Sequence, residues 1–257
     1  MKLVDLGSTG LRVSPLGLGT VKFGRNQGVK YPSGFELPDE DTLAELLALT
    51  RSLGINLLDT APAYGASEER LGRLLAGQRD DWVLIGKVGE EFEDGVSSHV
   101  FTPDHFRRSL ERSLERLRTD RIDVLLIHSD GSDMAIVQDD ALMRTMADFK
   151  AEGMARAIGV STKTVEGGIR TLELMDVAMA TYTADHREEE PVLDFAAARA
   201  KGVILKKVLS SGHAADVPAA IRFAFSHPGV SSAVIGTINP AHLRQIAACV
   251  EEATRGR

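Results

Sequence analysis

The sequence predicts a single (β/α)8 barrel over residues 1–257, a TIM-barrel architecture entered through an N-terminal β-hairpin. Three observations predict it. Eight short apolar runs alternate with amphipathic helical stretches along the chain. Links from a helix to the next run are tight, while several links from a run to the next helix are long. The length, 257 residues, is close to that of one such barrel.

The hairpin comes first, with arms at 3–6 and 11–13 and a glycine-bounded turn at 7–10. The eight runs follow at 16–20, 55–60, 83–87, 123–128, 155–161, 177–182, 203–207 and 233–237. Thr102-Pro103 reads as an N-cap and first-turn pair. The helix behind it puts Phe106, Leu110, Leu114 and Leu117 on one face and spaces Arg107 and Glu111 to pair outside. Asp41, Ser67 and Asp139 are starts for further helices, and Gly54, Gly153 and Gly202 stand where helices should stop. Trp82, just before the third run, is expected to seal the barrel bottom.

Strand–helix repetition implies parallel strands joined by crossovers. An open doubly wound sheet is the alternative, but no Gly-x-Gly-x-x-Gly follows the first runs, which favours closure. Tight links such as 52–54 and 151–153 mark one end of the barrel. Long links at 21–38, 88–101 and 129–138 mark the other, where barrels keep their chemistry.

Composition narrows the class. A 43% hydrophobic share with 26% charged residues suits a globular chain with a large core. The net charge of −7 argues against a broad nucleic-acid surface. The one cysteine, Cys249, can form no internal disulfide, which suits a reducing compartment. With no secretory apolar core at the start and no membrane-length apolar run, the expected address is the cytoplasm. Nothing in the pattern speaks to oligomeric state.

Polar residues at the ends of buried strands carry the chemistry. Asp59 ends the second run, Lys87 the third and His128 the fourth, and Tyr64 lies five residues beyond Asp59. In a barrel all four converge on one face. A buried Lys beside a Tyr favours the phenolate and lowers the hydroxyl from its reference near ~10, while the Asp balances the Lys. Tyr64 is then a proton donor to a carbonyl oxygen, and His128 donates a hydrogen bond that orients that carbonyl. The hydride must come from a cofactor. Taken singly, each residue has a plainer explanation. Asp59 suits a turn cap, Tyr64 a loop anchor, Lys87 a partner for Glu90, and His128 a satisfied core histidine. Their joint placement is what favours chemistry.

The motif Asp59-Thr60-Ala61-x-x-Tyr64-Gly65, followed by Ser67-Glu68-x-x-Leu71-Gly72, resembles the aldo-keto reductase signature. Leu84-Ile85-Gly86-Lys87 and the run ending at His128 resemble that family's lysine and histidine strands. Ala157-Ile158-Gly159-Val160-Ser161 resembles its fifth strand, and Val234-Ile235-Gly236-Thr237 with Asn239-Pro240-Ala241-His242-Leu243 its eighth. The resemblance implies an NAD(P)H-dependent reductase of a small aldehyde or ketone, with Asp59, Tyr64, Lys87 and His128 as the catalytic tetrad. The implied cofactor is NADPH, with NADH as the alternative.

Its cofactor positions fall on Thr20, Asp59, Ser161, Thr162, Met179, Lys206, Lys207, Ser211, Gly236, Thr237, His242 and Gln245. Several depart from the family pattern. Thr162 stands for a common Asn, and Met179 for a Gln whose amide a thioether cannot replace as donor. Lys206 stands for an aromatic under the nicotinamide ring, where its methylene stem covers the ring or its ammonium reaches a phosphate. Alternatively Lys206 points into the barrel and pairs with an acid. Lys207 and Ser211 are candidate pyrophosphate contacts. His242 replaces a frequent Arg, and Gln245-Ile246 a Glu-Asn pair. The helix beginning near Pro240 offers backbone N–H groups to a phosphate. The chain ends soon after that helix, so an open substrate site is expected.

Two other readings compete: a nucleotide-sensing or partner-binding barrel with little turnover, and a sugar-phosphate barrel enzyme. The acidic stretch 185–190 lacks metal-ligand spacing, so no metal is expected. His99 and His105 flank the long link after the third run, where solvation suits both.

Overall fold

The computed structural model of the protein describes residues 1–256. In chain order its strands are β1 (Val4–Asp5), β2 (Arg12–Val13), β3 (Leu16–Gly19), β4 (Leu57–Asp59), β5 (Val83–Val88), β6 (Glu90–Glu93), β7 (Val96–His99), β8 (Ile122–His128), β9 (Ala155–Ser161), β10 (Val177–Thr181), β11 (Gly202–Lys206) and β12 (Ser232–Ile235). The helices are α1 (Val21–Gly24), α2 (Glu40–Ser52), α3 (Ser67–Leu74), α4 (Pro103–Leu117), α5 (Asp133–Gln138), α6 (Asp140–Ala151), α7 (Val165–Leu174), α8 (Glu190–Arg199), α9 (Val217–Ala224) and α10 (Pro240–Ala253). β3, β4, β5, β8, β9, β10, β11 and β12 close into one parallel barrel, with β12 pairing back onto β3. Among the described residues no helix is long and apolar enough to cross a membrane.

The apolar runs are continuous because both faces of a barrel strand are buried. Alternation is hidden inside them. Leu57, Val83, Ile85, Val124 and Leu126 fill the barrel, while their neighbours Leu58, Leu84 and Leu125 face the helical layer. The hairpin β1–β2 closes the bottom, where Leu6, Leu11 and Val13 join the interior cluster. Trp82 does not seal it. Its ring packs in the outer layer with the strand-to-helix contacts, because a residue just before β5 lies outside the cylinder.

Helix starts follow the capping residues. Thr102 accepts from His105 N at the head of α4, and Asp139 accepts from Ala141 N and Leu142 N at the head of α6. Asp39 rather than Asp41 caps α2, accepting from Thr42 N. Gly202 does not stop a helix. Ala200 takes the left-handed turn after α8, and Gly202 opens β11, where a Cβ would stand 2.9 Å from the Leu6 side chain. Arg107 pairs across to Glu152 at 2.9 Å instead of along its own helix to Glu111.

The link after β5 is not plain loop. It folds as the antiparallel hairpin β6–β7, turned at Asp94-Gly95, both with positive φ. Asp-Gly between two short strands is a hairpin signal that length alone concealed.

Candidate active site

Asp59 is the last residue of β4, and the chain then makes one 3-10 turn, Pro62–Tyr64, that returns the tyrosine over the barrel mouth. Gly65 makes this return possible. Its φ of +60° lies where side chains are strained, and a Cβ would meet Gly24 O at 2.3 Å. Gly65→Ala is therefore expected to cost at least about 1–3 kcal/mol, read as a lowered melting temperature. A melt unchanged from the parent would show that the turn is not under this constraint. Behind the turn, Thr20 Oγ1 donates to Asp59 O at 2.8 Å and contacts Ser67 Oγ at 2.7 Å, which in turn reaches Thr60 Oγ1 at 3.1 Å.

Lys87, in β5, is buried to 2% and extends toward Asp59. Its ammonium ion-pairs with Asp59 Oδ1 and donates to Thr60 O at 3.0 Å and to Tyr64 Oη at 3.1 Å. Tyr64 Oη donates to Asp59 Oδ2 at 3.3 Å. His128 ends β8 with its ring edge-on to Tyr64 at 6.3 Å between centroids. The three residues picked from strand ends and Tyr64 from the loop after Asp59 thus share one cluster. Lys87 takes Asp59, not Glu90, as its partner.

The expected lowering of the Tyr64 hydroxyl is reversed. Burial, then the charges of Asp59 and Glu90 and the hydrogen bond to Asp59, raise it well above its usual value. One ammonium does not outweigh two carboxylates and desolvation. His128 is lowered, first by burial and further by Lys87 and Lys206, against an opposing pull from Glu90.

The cluster forms one wall of a cavity of about 550 Å³ at the carboxyl ends of the strands. Ser161, Met179, Lys206, Lys207, Ser211, Gly236, Thr237, His242 and Gln245 also line it. Thr20 and Thr162 do not. Thr20 is fully buried behind the Asp59 turn, and the Thr162 hydroxyl donates to Glu189 at 3.1 Å. Lys206 faces the cavity without a carboxylate at ion-pair distance among the described residues. Its ammonium donates to Ser161 Oγ at 2.9 Å and Thr162 O at 2.6 Å. Burial, reinforced by Lys207 and Lys163 and opposed by Glu189 and Asp133, lowers it to about 7. Lys207 is lowered as well, by burial and by Lys30 and Lys163.

The head of α10 is not the open phosphate cradle that the sequence suggested. Pro240 has no N–H, and Asn239 Oδ1 already accepts from Ala241 N at 2.8 Å and His242 N at 3.3 Å. Sequence reasoning also missed the opposite wall. Lys22, Tyr31, Pro32 and Ser33 come from the first long link, with Lys22 Nζ 4.0 Å from the Tyr31 ring centre. Glu90 was missed as well, and its carboxylate lies 2.7 Å from His128 Nδ1.

A family model described as Aldo/keto reductase family matches residues 15–217. A solved structure from Pseudomonas aeruginosa, assigned to the aldo-keto reductases, is 52% identical with a TM-score of 0.91; the match covers 98% of this chain and 95% of that one. Aldo-keto reductase YhdN of Bacillus subtilis (strain 168) is 31% identical over a match covering 76% of this chain and 58% of its own, so the chain spans less than two thirds of that relative's length. A holo-form aldo-keto reductase from Bacillus halodurans, 23% identical with a TM-score of 0.81 over 98% of this chain and 91% of that one, shares the fold.

Proposed function

The chain belongs to the aldo/keto reductase family, and from that premise we propose that it is a nicotinamide-dependent oxidoreductase that reduces a small aldehyde or ketone. One observation carries the reading: the Tyr64 hydroxyl sits between Lys87 Nζ and Asp59 Oδ2 on the wall of the cavity that also holds His128.

The cavity's donor set fits a dinucleotide. Lys206 and Lys207 are basic groups in a partly desolvated wall, each lowered first by burial and then by neighbouring lysines, and Ser211, Thr237, His242 and Gln245 add polar groups. These residues would hold the dinucleotide. When bound, it supplies a hydride to the carbonyl carbon.

The protein's share is the proton. As negative charge develops on the carbonyl oxygen, Tyr64 Oη gives up its proton to it, since an alkoxide is far more basic than a phenolate. Lys87 Nζ, already 3.1 Å away, then balances the phenolate, and Asp59 keeps that ammonium in place. The raised hydroxyl keeps the donor protonated at neutral pH, so the proton is available when charge develops on the oxygen. A pure nucleotide sensor would have no chemical need for this contact.

Calorimetric titration with NADPH and NADH, followed by a panel of aldehydes and ketones, tests the reading. Trp82 lies in the outer layer, away from the cavity, so tryptophan quenching is the weaker readout. Binding of either nucleotide with turnover is expected; no binding of either at millimolar concentration would remove the hydride source. Binding should also take up a proton. Lys206 stands at about 7 without anions, and phosphates nearby raise it, so uptake is expected above pH 7 and lost in Lys206→Met. Heats of binding compared across buffers of different ionisation enthalpy read it directly, and zero uptake would place the phosphates away from Lys206.

A further inference from the structure

Glu90 opens the hairpin β6–β7, directly after β5, and pairs in register with His99. Its carboxylate turns back to the cavity, with Oε2 2.7 Å from His128 Nδ1; the two side chains are only 14% and 20% exposed. Nδ1 is buried and makes no hydrogen bond of good geometry. Glu90 is nonetheless the acid at ion-pair distance from this nitrogen. Catalytic hydrogen bonds are commonly misaligned before ligand binds.

We propose that Glu90 is a positioning residue for His128: its carboxylate keeps the ring proton on Nδ1 and supplies the counter-charge when Nε2 takes up a second proton. The significance of this pair for carbonyl chemistry rests on the reductase reading above.

Every charged element around the pair bears on it. Lys87 from β5 and Lys206 from β11 oppose a positive ring, and Tyr64 presents its ring edge. On the Glu90 side stand Ser97 and His99 from β7, and Arg25 from the first link. Burial works against the Glu90 charge, but His128, Ser97 and His99 outweigh it and hold the carboxyl down to about 2. Glu90 is therefore ionised wherever the protein is folded near neutral pH.

The consequence differs from the simple reading of His128 as a donor. A neutral imidazole with its hydrogen on Nδ1 presents a bare Nε2, which accepts and cannot donate. His128 donates to a carbonyl oxygen from Nε2 only as the imidazolium. That form is opposed first by burial and then by Lys87 and Lys206, favoured by Glu90, and lost as pH rises through the His128 titration. Tyr64 keeps its proton throughout that range, so the two groups separate in a pH profile.

The test is nitrogen NMR of the imidazoles in the full chain, with His128 assigned by His128→Gln, which needs no turnover. At high pH the expected His128 pattern is pyrrole-like at Nδ1 and pyridine-like at Nε2. Glu90→Gln, close to isosteric at the edge of an exposed hairpin, should move the His128 midpoint down by about one pH unit or more, with an unchanged melt. Glu90→Ala should also mix the two tautomers. The limb of the carbonyl-reduction profile that falls as pH rises through the His128 titration should move down with the midpoint. A pyridine-like Nδ1 in the parent, or the same His128 midpoint in Glu90→Gln, overturns the proposal. A silent carbonyl screen beside an intact Nδ1–H tautomer sinks the reductase reading and supports this one.

Discussion

Tyr64→Phe is expected to lower carbonyl turnover by at least about 10²–10⁴-fold, the usual worth of a positioned proton donor, with nucleotide affinity nearly unchanged. The substitution removes one oxygen from a hydroxyl that binds Lys87 Nζ and Asp59 Oδ2 and leaves the aromatic body in place. Asp59 and Lys87 keep each other as partners, so no buried charge is abandoned and the fold should hold. The pH profile adds a second check. Because the Tyr64 hydroxyl is raised, the donor stays protonated well past pH 10, and no loss of donor should appear below that point. Steady-state rates on a responsive aldehyde, beside calorimetric affinities for the nucleotide, decide the matter. A Phe variant turning over at the parent rate would remove Tyr64 from the mechanism.

Lys87→Met is expected to damage the protein itself. The Lys87 side chain is 1% exposed and that of Asp59 6%, so the substitution leaves a buried carboxylate without its counter-charge. Breaking such a pair from one side costs about 3–5 kcal/mol, which for a domain near this size is a fall of roughly 6–20 °C in melting temperature. Removing both charges, as Asp59→Asn with Lys87→Met, should recover much of that loss while activity stays abolished. Thermal and urea unfolding of the two variants provide the measurement. Equal stability of Lys87→Met and the parent would mean that Asp59 is far better solvated than its burial indicates.

The barrel was legible in the sequence because burial on both faces leaves a mark that does not depend on neighbours. Every predicted run contains or overlaps a barrel strand, and Ala155–Ser161 matches end to end. Thr102 and Asp139 were legible as caps for a local reason, since a side chain bonding to its own helix start needs only a few residues of sequence. Asp59, Lys87 and His128 stood out as polar groups at the ends of apolar runs, and Tyr64 through the motif around it.

What failed needed distances between remote segments. Gly202 reads as a helix stop until Leu6 is seen packed where its Cβ would go. Thr20 reads as a cavity residue until its hydroxyl is found turned to Asp59 and Ser67. The α10 head reads as a phosphate site until Asn239 is found spending its side chain there.

By itself, the sequence determined the barrel, the carboxyl-terminal face that carries the site and the identity of the clustered residues, because these follow from periodicity, link length and local motif. The tertiary structure alone decided how those residues behave. Tyr64 is raised and not lowered, Lys206 stands near neutrality, and Glu90 reaches His128. Such properties are sums of Coulomb and desolvation terms over groups brought together from different strands, and those terms depend on separation in space, which no spacing along the chain encodes.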